Sequence, residues 1–482
     1  MAEDNIYKER VEKRKNLIEK GYDVYPNKYE ITSSIKELRE RFKGLEKGTY
    51  TGCKIKTAGR IITIRRMGKA SFFTIRSGGN DIQIYAAMDI TPDYKTFIKL
   101  EPGDYIGVEG EIFTTKTGEL TVKVESWQIL SKSLRPPPEK WHGLKDIEER
   151  YRRRYLDLFV NKDVYEIFVL RSKTIDFIRR FLNSRGFIEV ETPMMQIIPG
   201  GAIAEPFKTY HNALSMNLYL RIAPELYLKR LLVGGFEKVY ELGKSFRNEG
   251  IDTKHNPEFT LLEIYSAYSN YEDMMRLCED LIVSLFKEIK GELSFEYEGK
   301  KIDLTPPWKR ISIFEELKRK TGIEFKGNLT RDFLISKAKE LKIEIEEDSE
   351  EHKIFEKIFE SVLEDELWGP VFIVDFPSKW SILAKKKKDD EEVVERFELF
   401  IAGEEIANAY SELNIPEDQR KNFEKQIRGY KEREIDYDYI EALEYGMPPA
   451  GGLGIGIDRL IMLLTGKNSI REVILFPLLR KK

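Results

Sequence analysis

The chain has 482 residues, of which 41% are hydrophobic and 34% are charged, and its formal net charge is only -3. This length predicts two or three domains, and the near-neutral charge excludes a uniformly basic protein, so any nucleic-acid contact must come from a local patch. No apolar run of about 18 residues exists, which excludes a predicted membrane span, and the charged N-terminus lacks a secretory apolar segment. Cys53 and Cys278 stand far apart and predict free thiols in a reducing compartment. We therefore expect a cytoplasmic protein.

Residues 1–49 predict a helical extension, because 7–20 and 33–42 have helical patterns without any chemical motif. The pattern then changes to short alternating strands separated by glycine turns, and this change predicts a separate domain at 50–134. The expected strands are 54–64, 70–75, 82–86, 105–113 and 120–130. Five such strands predict a small OB-type barrel, an all-β fold whose open face often binds single-stranded nucleic acid.

The first part of this barrel is strongly basic. Residues 51–80 contain seven basic side chains, Arg60 among them, and no acidic one. Phe72 and Phe73 lie inside the patch, and Gln83 is on the next strand. We expect one phenylalanine to face the core and the other to be available to stack on a base, while Gln83 could read a base edge. A barrel with a solvated basic rim explains the same pattern, so both interpretations stay open here.

A stiff linker at 135–150, which begins with Arg135 and three prolines, separates the barrel from a second domain at 151–482. In that domain we expect helices at 163–185, 223–233 and 271–289, and a strand at 187–193. Pro193 ends the strand and therefore places it at a sheet edge or an interface. Residues 308–370 predict a helical covering segment without chemistry, and the charge run at 385–392 predicts a mobile loop.

Two β-prone runs around 239–242 and 259–265 predict an antiparallel hairpin. Along it lie Arg247, Glu249, His255, Phe259 and Glu263. Arginine binds phosphate or carboxylate in two parallel bonds, an aromatic ring stacks on a nucleobase, and a carboxylate binds an amine or a metal. The set suits a nucleotide and an amino acid lying together. Taken alone, the hairpin favours the simpler interpretation of a charged protein surface, because charge-rich hairpins are common.

Two later stretches carry similar chemistry. Residues 395–412 combine a strand pattern with Glu398 and Glu405, and the alternation of Asn408, Tyr410 and Glu412 places those three on one face. Carboxylates on an inward face need a cation, either an ammonium or a metal. The glycine-rich run at 451–456 allows a backbone to pass close to a ligand, and Arg459 follows it at a helix start, where phosphate binds readily.

Taken together, these stretches resemble the class II lysyl-tRNA synthetases. The likeness covers nearly the whole chain and rests on four strings in the order of that family's motifs: LRIAPELY at 220–227, FRNEG at 246–250, HNPEFT at 255–260 and GIGIDR at 454–459. It implies an α+β protein, in which an OB-fold anticodon-binding barrel precedes a catalytic domain on a six-stranded antiparallel sheet. Residues 187–193 resemble the first motif, which builds a homodimer interface in the family.

The resemblance also implies a two-step reaction and a set of partners. ATP and L-lysine would form lysyl-adenylate with Mg²⁺ as cofactor, and the 3′ end of tRNA(Lys) would then accept the lysyl group. Arg247 would bridge the lysine carboxylate and the α-phosphate, and Arg459 would cover the adenine and reach the γ-phosphate, so both are expected to be catalytic. No membrane takes part.

The family's remaining positions carry over residue by residue. The ATP-binding residues would be Arg247, Glu249, His255, Asn256, Phe259, Glu398, Glu405, Gly456 and Arg459, with Glu398 and Glu405 as the magnesium ligands. The lysine-binding residues would be Gly201, Glu225, Arg247, Glu263, Tyr265, Asn408, Tyr410 and Glu412, of which Glu412, Tyr265 and Glu263 would surround the ε-ammonium. The anticodon-binding residues would be Arg60, Phe72 and Gln83.

Three positions depart from the family pattern. Glu205 replaces a residue that is usually basic, Ser381-Ile382 lacks the usual proline, and Glu125 stands one place early in the barrel. Alternative interpretations are a relative that lysylates a protein, a non-catalytic RNA-binding paralogue, and an aspartyl or asparaginyl synthetase. The barrel argues against the first and the retained arginines and glutamates against the second. An acidic pocket argues against the third.

Overall fold

The structure is a computed structural model that describes residues 2–138, 144, 146–202, 204–346, 349–427 and 434–480. The chain divides into two compact units, Met1–Glu166 and Ile167–Lys482. The finer boundaries expected at 49, 134 and 150 stay a prediction, and residues 139–143 and 145 of the expected linker lie outside the described residues. None of the described helices is long and apolar enough to cross a membrane.

The first unit is a closed five-stranded barrel with helices around it. Its strands are β1 (Tyr50–Met67), β2 (Ala70–Ser77), β3 (Asn80–Ala87), β4 (Tyr105–Thr114) and β5 (Leu120–Ser131), in the order β1-β2-β3-β5-β4. Its helices are α1 (Ala2–Glu19), α2 (Ile35–Arg41), α3 (Tyr94–Phe97), α4 (Ile147–Arg152) and α5 (Arg154–Val160). All five expected strands and both expected N-terminal helices are confirmed, because alternation and glycine turns are strong local signals.

The barrel interior is filled by alternate residues of each strand. Ile61, Ile75, Ile84 and Val108 are fully buried there, and Phe73 joins them with only 1% of its surface exposed. Successive residues of a strand point to opposite faces, so Phe72 lies on the outer face, opposite Arg65 on β1. The expectation that one phenylalanine of the pair would face the core is therefore confirmed.

The second unit is built on a large mixed sheet. Its strands are β6 (Ile188–Glu189), β7 (Met195–Gln196), β8 (Lys208–His211), β9 (Met216–Leu220), β10 (Lys238–Phe246), β11 (Glu258–Ala267), β12 (Ser294–Tyr297), β13 (Lys300–Asp303), β14 (Lys309–Ser312), β15 (Val371–Val374), β16 (Lys386–Lys387), β17 (Asp390–Val394), β18 (Arg396–Ile401), β19 (Glu404–Ser411) and β20 (Ala450–Gly456). Eight of them form one sheet in the order β14-β15-β18-β19-β20-β11-β10-β6.

The helices of this part of the chain are α6 (Lys162–Asn183), α7 (Glu225–Val233), α8 (Tyr271–Ile289), α9 (Ile313–Thr321), α10 (Arg331–Glu340), α11 (Glu351–Leu363), α12 (Pro416–Ile427), α13 (Tyr437–Glu444), α14 (Ile457–Thr465) and α15 (Ile470–Val473). Helices α8 and α14 pack on one face of the sheet, where Leu262, Ile264 and Ile455 meet Leu281 and Leu460 in a single apolar core. The opposite face of the sheet is left to line a cavity.

The expected six-stranded antiparallel sheet is confirmed as the centre of a larger one. The strands from β15 to β10 are antiparallel to their neighbours, but β14 and β6 add to the two edges in parallel. Strand β6 is much shorter than the expected 187–193, because Pro193 and the residues before it do not continue the ladder. Its position at the edge agrees with the proline argument.

Two expectations about the middle of this unit were wrong. The charge run at 385–392 is not an unstructured loop, since β16 and β17 pair there as a short hairpin. The segment at 308–370 does cover the sheet, with Phe314, Phe355 and Phe359 in an apolar cluster of its own. It is not chemically silent, however, because α11 also contributes side chains to the cavity.

One irregularity separates the hairpin of β18 and β19 from an ideal ladder. Glu398 pairs with Asn408 and Leu399 with Ala407, but Phe400 pairs with Glu405, so Ile406 is an extra residue. Such a bulge leaves one residue unpaired and turns the strand. Both Ile406 and Ala407 therefore enter the core beneath the sheet, and Glu405 faces the cavity beside Glu398.

Candidate active site

A cavity of about 1050 Å³ lies on the free face of the large sheet. The sequence-predicted residues that line it are Gly201, Glu225, Arg247, Glu249, His255, Asn256, Phe259, Glu263, Tyr265, Glu398, Glu405, Asn408, Tyr410, Gly456 and Arg459. They come from stretches of chain more than 250 residues apart, and antiparallel pairing of β11, β18, β19 and β20 brings them to one surface. Glu412 is the exception, because it lies behind this surface and is fully buried.

Arg247 follows β10 at the cavity wall. Its backbone NH donates to the Pro257 carbonyl at 2.9 Å, and its guanidinium lies 5.1 Å from the centre of the Phe259 ring. Within the described part of the chain the buried Nε has no hydrogen-bond partner and the side chain has no ion pair. Burial lowers the pKa of Arg247, but arginine remains charged at neutral pH. A buried cation of this kind is available to an anionic ligand.

Arg459 is the second cation of the cavity and is held at the start of α14. Its Nη1 donates to the Glu405 carbonyl at 2.6 Å and lies 3.7 Å from the Glu405 carboxylate. The residue before it, Asp458, accepts from the Thr260 backbone NH at 2.7 Å and from Arg171 Nη1 at 2.6 Å. The Asp458 contacts fix the helix start against β11, and thereby orient Arg459.

The remaining predicted nucleotide residues surround these two arginines. The Nε2 atom of His255 is 3.5 Å from Arg459 Nη2, and its Nδ1 is 2.8 Å from Asp252. Asn256 donates to the Glu258 carbonyl at 2.6 Å, while its Oδ1 is buried without a donor among the described residues. An unpartnered buried amide oxygen is costly unless a ligand donates to it. Phe259 offers its ring face at the same wall.

Glu398 and Glu405 lie next to each other because of the bulge. Arg396 Nη2 donates to Glu398 at 2.5 Å. Burial, opposed by Arg396 and reinforced by Glu405, raises the pKa of Glu398 to about 8. On α11, burial likewise raises the pKa of Glu356 to about 7 and that of Glu360 above its usual range. Such crowded carboxyl groups are stabilised by a divalent cation.

No group of three or more metal-ligating side chains converges closely enough to hold a metal by itself in the described ranges. The donors present are carboxylate oxygens, which Mg²⁺ prefers, and Mg²⁺ usually keeps water and substrate phosphates as its other ligands. Two carboxylates in a cavity of about 1050 Å³ therefore fit Mg²⁺ together with a nucleotide better than a protein-only metal site.

The opposite end of the cavity is acidic, and its side chains are largely buried. Tyr410 donates to Glu225 at 2.5 Å, and Tyr265 donates to Glu263 at 3.0 Å. Burial raises the pKa of Glu263 to about 8, and neighbouring Glu225 adds to the rise. This environment disfavours a free carboxylate and favours a ligand ammonium, which would replace the proton.

Gly201 and Asn408 flank this acidic end. Gly201 has a φ of +87°, and a β-carbon there would lie 3.1 Å from the β-carbons of Ala223 and Glu225. Glycine therefore allows the loop to pass close to Glu225. Asn408 Oδ1 accepts from Arg396 Nε at 3.2 Å, so its amide nitrogen is free to face the cavity.

Among the charged residues of this cavity or its wall that sequence reasoning missed, three lie beside the predicted acids. Lys229 is fully buried and pairs with Glu225 and Glu412, Arg396 pairs with Glu398, and Glu356 lines the cavity from α11. A usable signal for Lys229 was its spacing of four from Glu225 on an expected helix, which places both on one face. Glu356 gave no such signal, because its helix belongs to a segment distant in sequence from every motif.

The barrel has a candidate nucleic-acid face of its own. The rings of Phe72 and Tyr85 lie 5.1 Å apart on its outer side. Gln83, on the same strand as Tyr85, is largely buried, and its amide oxygen accepts from the Thr121 hydroxyl at 3.0 Å. Arg60 is not free in this structure, because its guanidinium lies 4.5 Å from the Tyr105 ring centre and 4.2 Å from that of Phe159. Phe72 is thus the most available of the three predicted contacts.

Comparison with known proteins gives the same two parts. Residues 146–480 match the model of the class II tRNA synthetases (D, K and N), and residues 55–130 match that of the OB-fold nucleic acid binding domain. The chain belongs to the class II tRNA synthetase family. Its fold is accordingly α+β, with an OB-fold domain ahead of a class II synthetase domain.

Named relatives match the chain over nearly its full length. The lysine–tRNA ligases of Pelotomaculum thermopropionicum and Carboxydothermus hydrogenoformans are each 52% identical to it, over 99% of this chain and over 96% and 99% of their own length. The lysine–tRNA ligase of Moorella thermoacetica is 50% identical over all of this chain and 99% of its own.

The three departures from the family pattern have ordinary surroundings. Glu205 is exposed at the cavity mouth, and its carbonyl accepts from the Asn248 backbone NH at 2.8 Å. The Ser381 hydroxyl donates to the Pro377 carbonyl at 3.0 Å, which fixes that loop without a proline. Glu125 forms an ion pair with Lys54 at 2.6 Å on the barrel surface.

Proposed function

We propose that this protein is a lysine–tRNA ligase, which activates L-lysine with ATP and transfers it to tRNA(Lys). The observation that carries the proposal is the polarity of one cavity. Arg247 and Arg459 lie where phosphates and a carboxylate would be bound, and Glu225 and Glu263 lie where ammonium groups would be bound. ATP and lysine have this combination of charges, whereas aspartate or asparagine has only its α-ammonium and would leave a buried acid without a cation.

In the activation step a lysine carboxylate oxygen attacks the α-phosphorus of ATP, the bond to the β-phosphate oxygen breaks, and pyrophosphate leaves. Arg247 can bind both the carboxylate and the α-phosphate, and so neutralise the charge that develops between them. Arg459 would bind the γ-phosphate of the leaving group. Because the reaction needs positioning and electrostatic stabilisation, no side-chain nucleophile is required.

Mg²⁺ is part of the proposal, with Glu398 and Glu405 as its protein ligands. When bound, it would neutralise phosphate charge. Their crowding with Glu356 makes two ionised carboxylates costly in the empty site. Arg396 already compensates one of them, and it would keep Glu398 oriented toward the phosphates.

In the transfer step a hydroxyl of the terminal ribose of tRNA attacks the lysyl carbonyl, and AMP leaves. We place the tRNA anticodon on the barrel face around Phe72, where a half-buried ring on the outer side and neighbouring basic side chains suit stacked bases. Gln83 and Arg60 belong to the same proposal, although both have protein partners in this structure. A cytoplasmic location, where tRNA and free thiols such as Cys53 are found, completes it.

We further propose a homodimer. Support comes from the edge of the large sheet and the strand after it, where Ile188, Met194, Met195 and Ile197 are about half exposed. Large apolar side chains left this exposed within ten residues of chain are typical of a protein interface.

The test is ATP–pyrophosphate exchange with each amino acid in turn. We expect lysine alone to drive exchange, and Arg247→Ala to lower its rate by about 100-fold or more, since one charge-stabilising donor is worth that much. Arg276→Ala serves as the control, because Arg276 is an exposed arginine paired with Asp273 on α8. Exchange driven equally by another amino acid, or undiminished in Arg247→Ala, would contradict the proposal.

A further inference from the structure

Lys229 is a charged residue of the acidic end that the proposed reaction does not yet use. It lies on α7, one helical turn after Glu225, and its side chain is fully buried. Its Nζ donates to Glu225 Oε1 at 2.6 Å and also pairs with Glu412 Oε2. Although burial opposes it, these two acids raise the pKa of Lys229, so the ammonium is permanent. A buried charge of this kind is costly and invites a functional explanation.

The two carboxylate oxygens of Glu412 have different neighbours. Oε2 meets the ammonium, whereas Oε1 lies against Gly452 and the Tyr265 ring, where a β-carbon on residue 452 would collide with it. Both oxygens are buried and neither accepts a hydrogen bond of good geometry among the described residues, but only Oε2 has the Lys229 ammonium as an ion-pair partner. Both Gly452 and Tyr265 line the cavity. Lys229 therefore holds Glu412 from behind and leaves one oxygen turned toward the cavity wall.

Lys229 also sets the charge of this end of the cavity. Glu225, Glu263 and Glu412 lie around a single ammonium, so full ionisation leaves two negative charges without a partner. Lysine brings two ammonium groups, and its carboxylate is accounted for by Arg247. We propose that Lys229 is a specificity-determining positioning residue, which turns Glu412 toward the substrate and adjusts the pocket to a ligand with two ammonium groups. This inference rests on the proposed lysine ligase function.

Removal of the Lys229 charge should lower the selectivity for lysine over amino acids with an uncharged side chain. In Lys229→Met the Glu412 carboxyl loses the ammonium that holds its Oε2, so this buried group keeps a proton and no longer presents a charged oxygen toward the side chain of the substrate. We expect the ratio of kcat/KM for lysine to that for norleucine, measured by ATP–pyrophosphate exchange, to fall by about tenfold or more. The KM for ATP should stay unchanged. An unaltered ratio in a folded Lys229→Met protein overturns the proposal.

A second comparison predicts the opposite effect of Lys229→Met on discrimination. It does not depend on the folding of the single variant. In Glu412→Gln the ammonium of Lys229 remains, and only one negative charge is left for the substrate. Adding Lys229→Met to Glu412→Gln restores two, so the double variant should discriminate lysine from norleucine several-fold better than Glu412→Gln alone. A merely structural role for Lys229 predicts further loss instead. A double variant that is equal to or worse than Glu412→Gln overturns the proposal.

The barrel supplies a matched control. Lys132 is also buried and pairs with two acids, Glu101 and Asp104, but it lies in the other unit. Lys132→Met should leave the discrimination ratio unchanged. The ligase function and the role of Lys229 can be disproved separately. A wild-type protein without lysine-dependent exchange disproves the ligase function. Lysine-dependent exchange with unmoved variants disproves only the role of Lys229.

Discussion

Glu263 shows how strongly a single residue is altered by its position in this cavity. It lies on β11, is almost fully buried, and accepts a hydrogen bond from Tyr265 at 3.0 Å. Burial raises its pKa from 4.5 to about 8, so at neutral pH the empty site holds a proton where a substrate ammonium would be bound. The ligand-free fold loses this contribution to its stability as the pH rises from 4.5 through about 8.

Lysine binding should therefore release protons. An arriving ammonium lowers the pKa of Glu263, so the proton leaves between the bound and the free pKa values, and release should vanish above about pH 8. Titration calorimetry at pH 7 in buffers of different ionisation enthalpy measures this number. We expect Glu263→Gln to release up to about one proton fewer than the wild type.

Burial also raises the pKa of Glu412, which explains any release that remains in Glu263→Gln. Equal proton release from wild type and Glu263→Gln would show that Glu263 is already ionised in the empty cavity.

At the scale of elements, a small polar cluster joins α6, β11 and α14. Arg171 on α6 donates to Asp458 at 2.6 Å and to the Thr260 hydroxyl at 2.9 Å, and Asp458 accepts from the Thr260 backbone NH. Asp458 is 2% exposed, so the pair is largely removed from water. Through this cluster three elements that are distant in sequence position Arg459.

We expect Asp458→Asn to lower the free energy of unfolding by about 2 kcal/mol, because it leaves a largely buried guanidinium without its counter-charge. Chemical denaturation of the full chain measures the loss, and the KM for ATP should rise because Arg459 is less well oriented. Asp418→Asn is the control, since Asp418 pairs with Lys421 in an exposed position. A loss of stability no larger than that of the control would contradict this role.

Element-level features differed in how well the sequence predicted them. Helix α8 has the expected bounds, because its apolar periodicity and end signals are local. Strand β6 and the hairpin of β16 and β17 differed, since pairing partners elsewhere in the chain decide whether such short runs form strands. The contribution of α11 to the cavity was not predictable, because only tertiary packing brings Glu356 to Glu398.

At the scale of the whole molecule, each unit has its own apolar core and its own candidate surface. Of the residues that the structure describes, those that line the cavity belong to Ile167–Lys482, whereas Phe72 belongs to the barrel. Amino-acid activation and tRNA recognition should therefore be separable by mutation.

Phe72→Leu should leave lysine-dependent pyrophosphate exchange unchanged and weaken tRNA charging by about tenfold, because base stacking on a ring is worth about 1–3 kcal/mol. Steady-state charging of tRNA(Lys) measures the effect. Phe72→Tyr keeps the ring and should keep charging. If Phe72→Leu charges tRNA as well as the wild type does, the barrel face has been assigned wrongly.

The sequence predicted most of the candidate site because the motif strings name residue types that the chemistry needs, and fifteen predicted positions line one cavity. Local patterns do not describe counter-charges, however. Lys229 and Arg396 compensate predicted acids, and Glu412 lies behind the wall for that reason. Which buried acids have an internal partner depends on packing between strands and helices, and packing follows from the whole fold.

The extra residue at Ile406 has a consequence for how the enzyme can vary. On a regular hairpin, Glu398 and Glu405 would point to opposite sides of the sheet, one toward the cavity and the other into the apolar core. The extra residue shifts the alternation of side chains by one position, so both acids lie on the same face of the sheet and can share a cation. Deletion or insertion of a single residue between Glu398 and Glu405 would return the two side chains to opposite faces, although both glutamates were retained. Natural variation in this turn should therefore come in substitutions, not in changes of length.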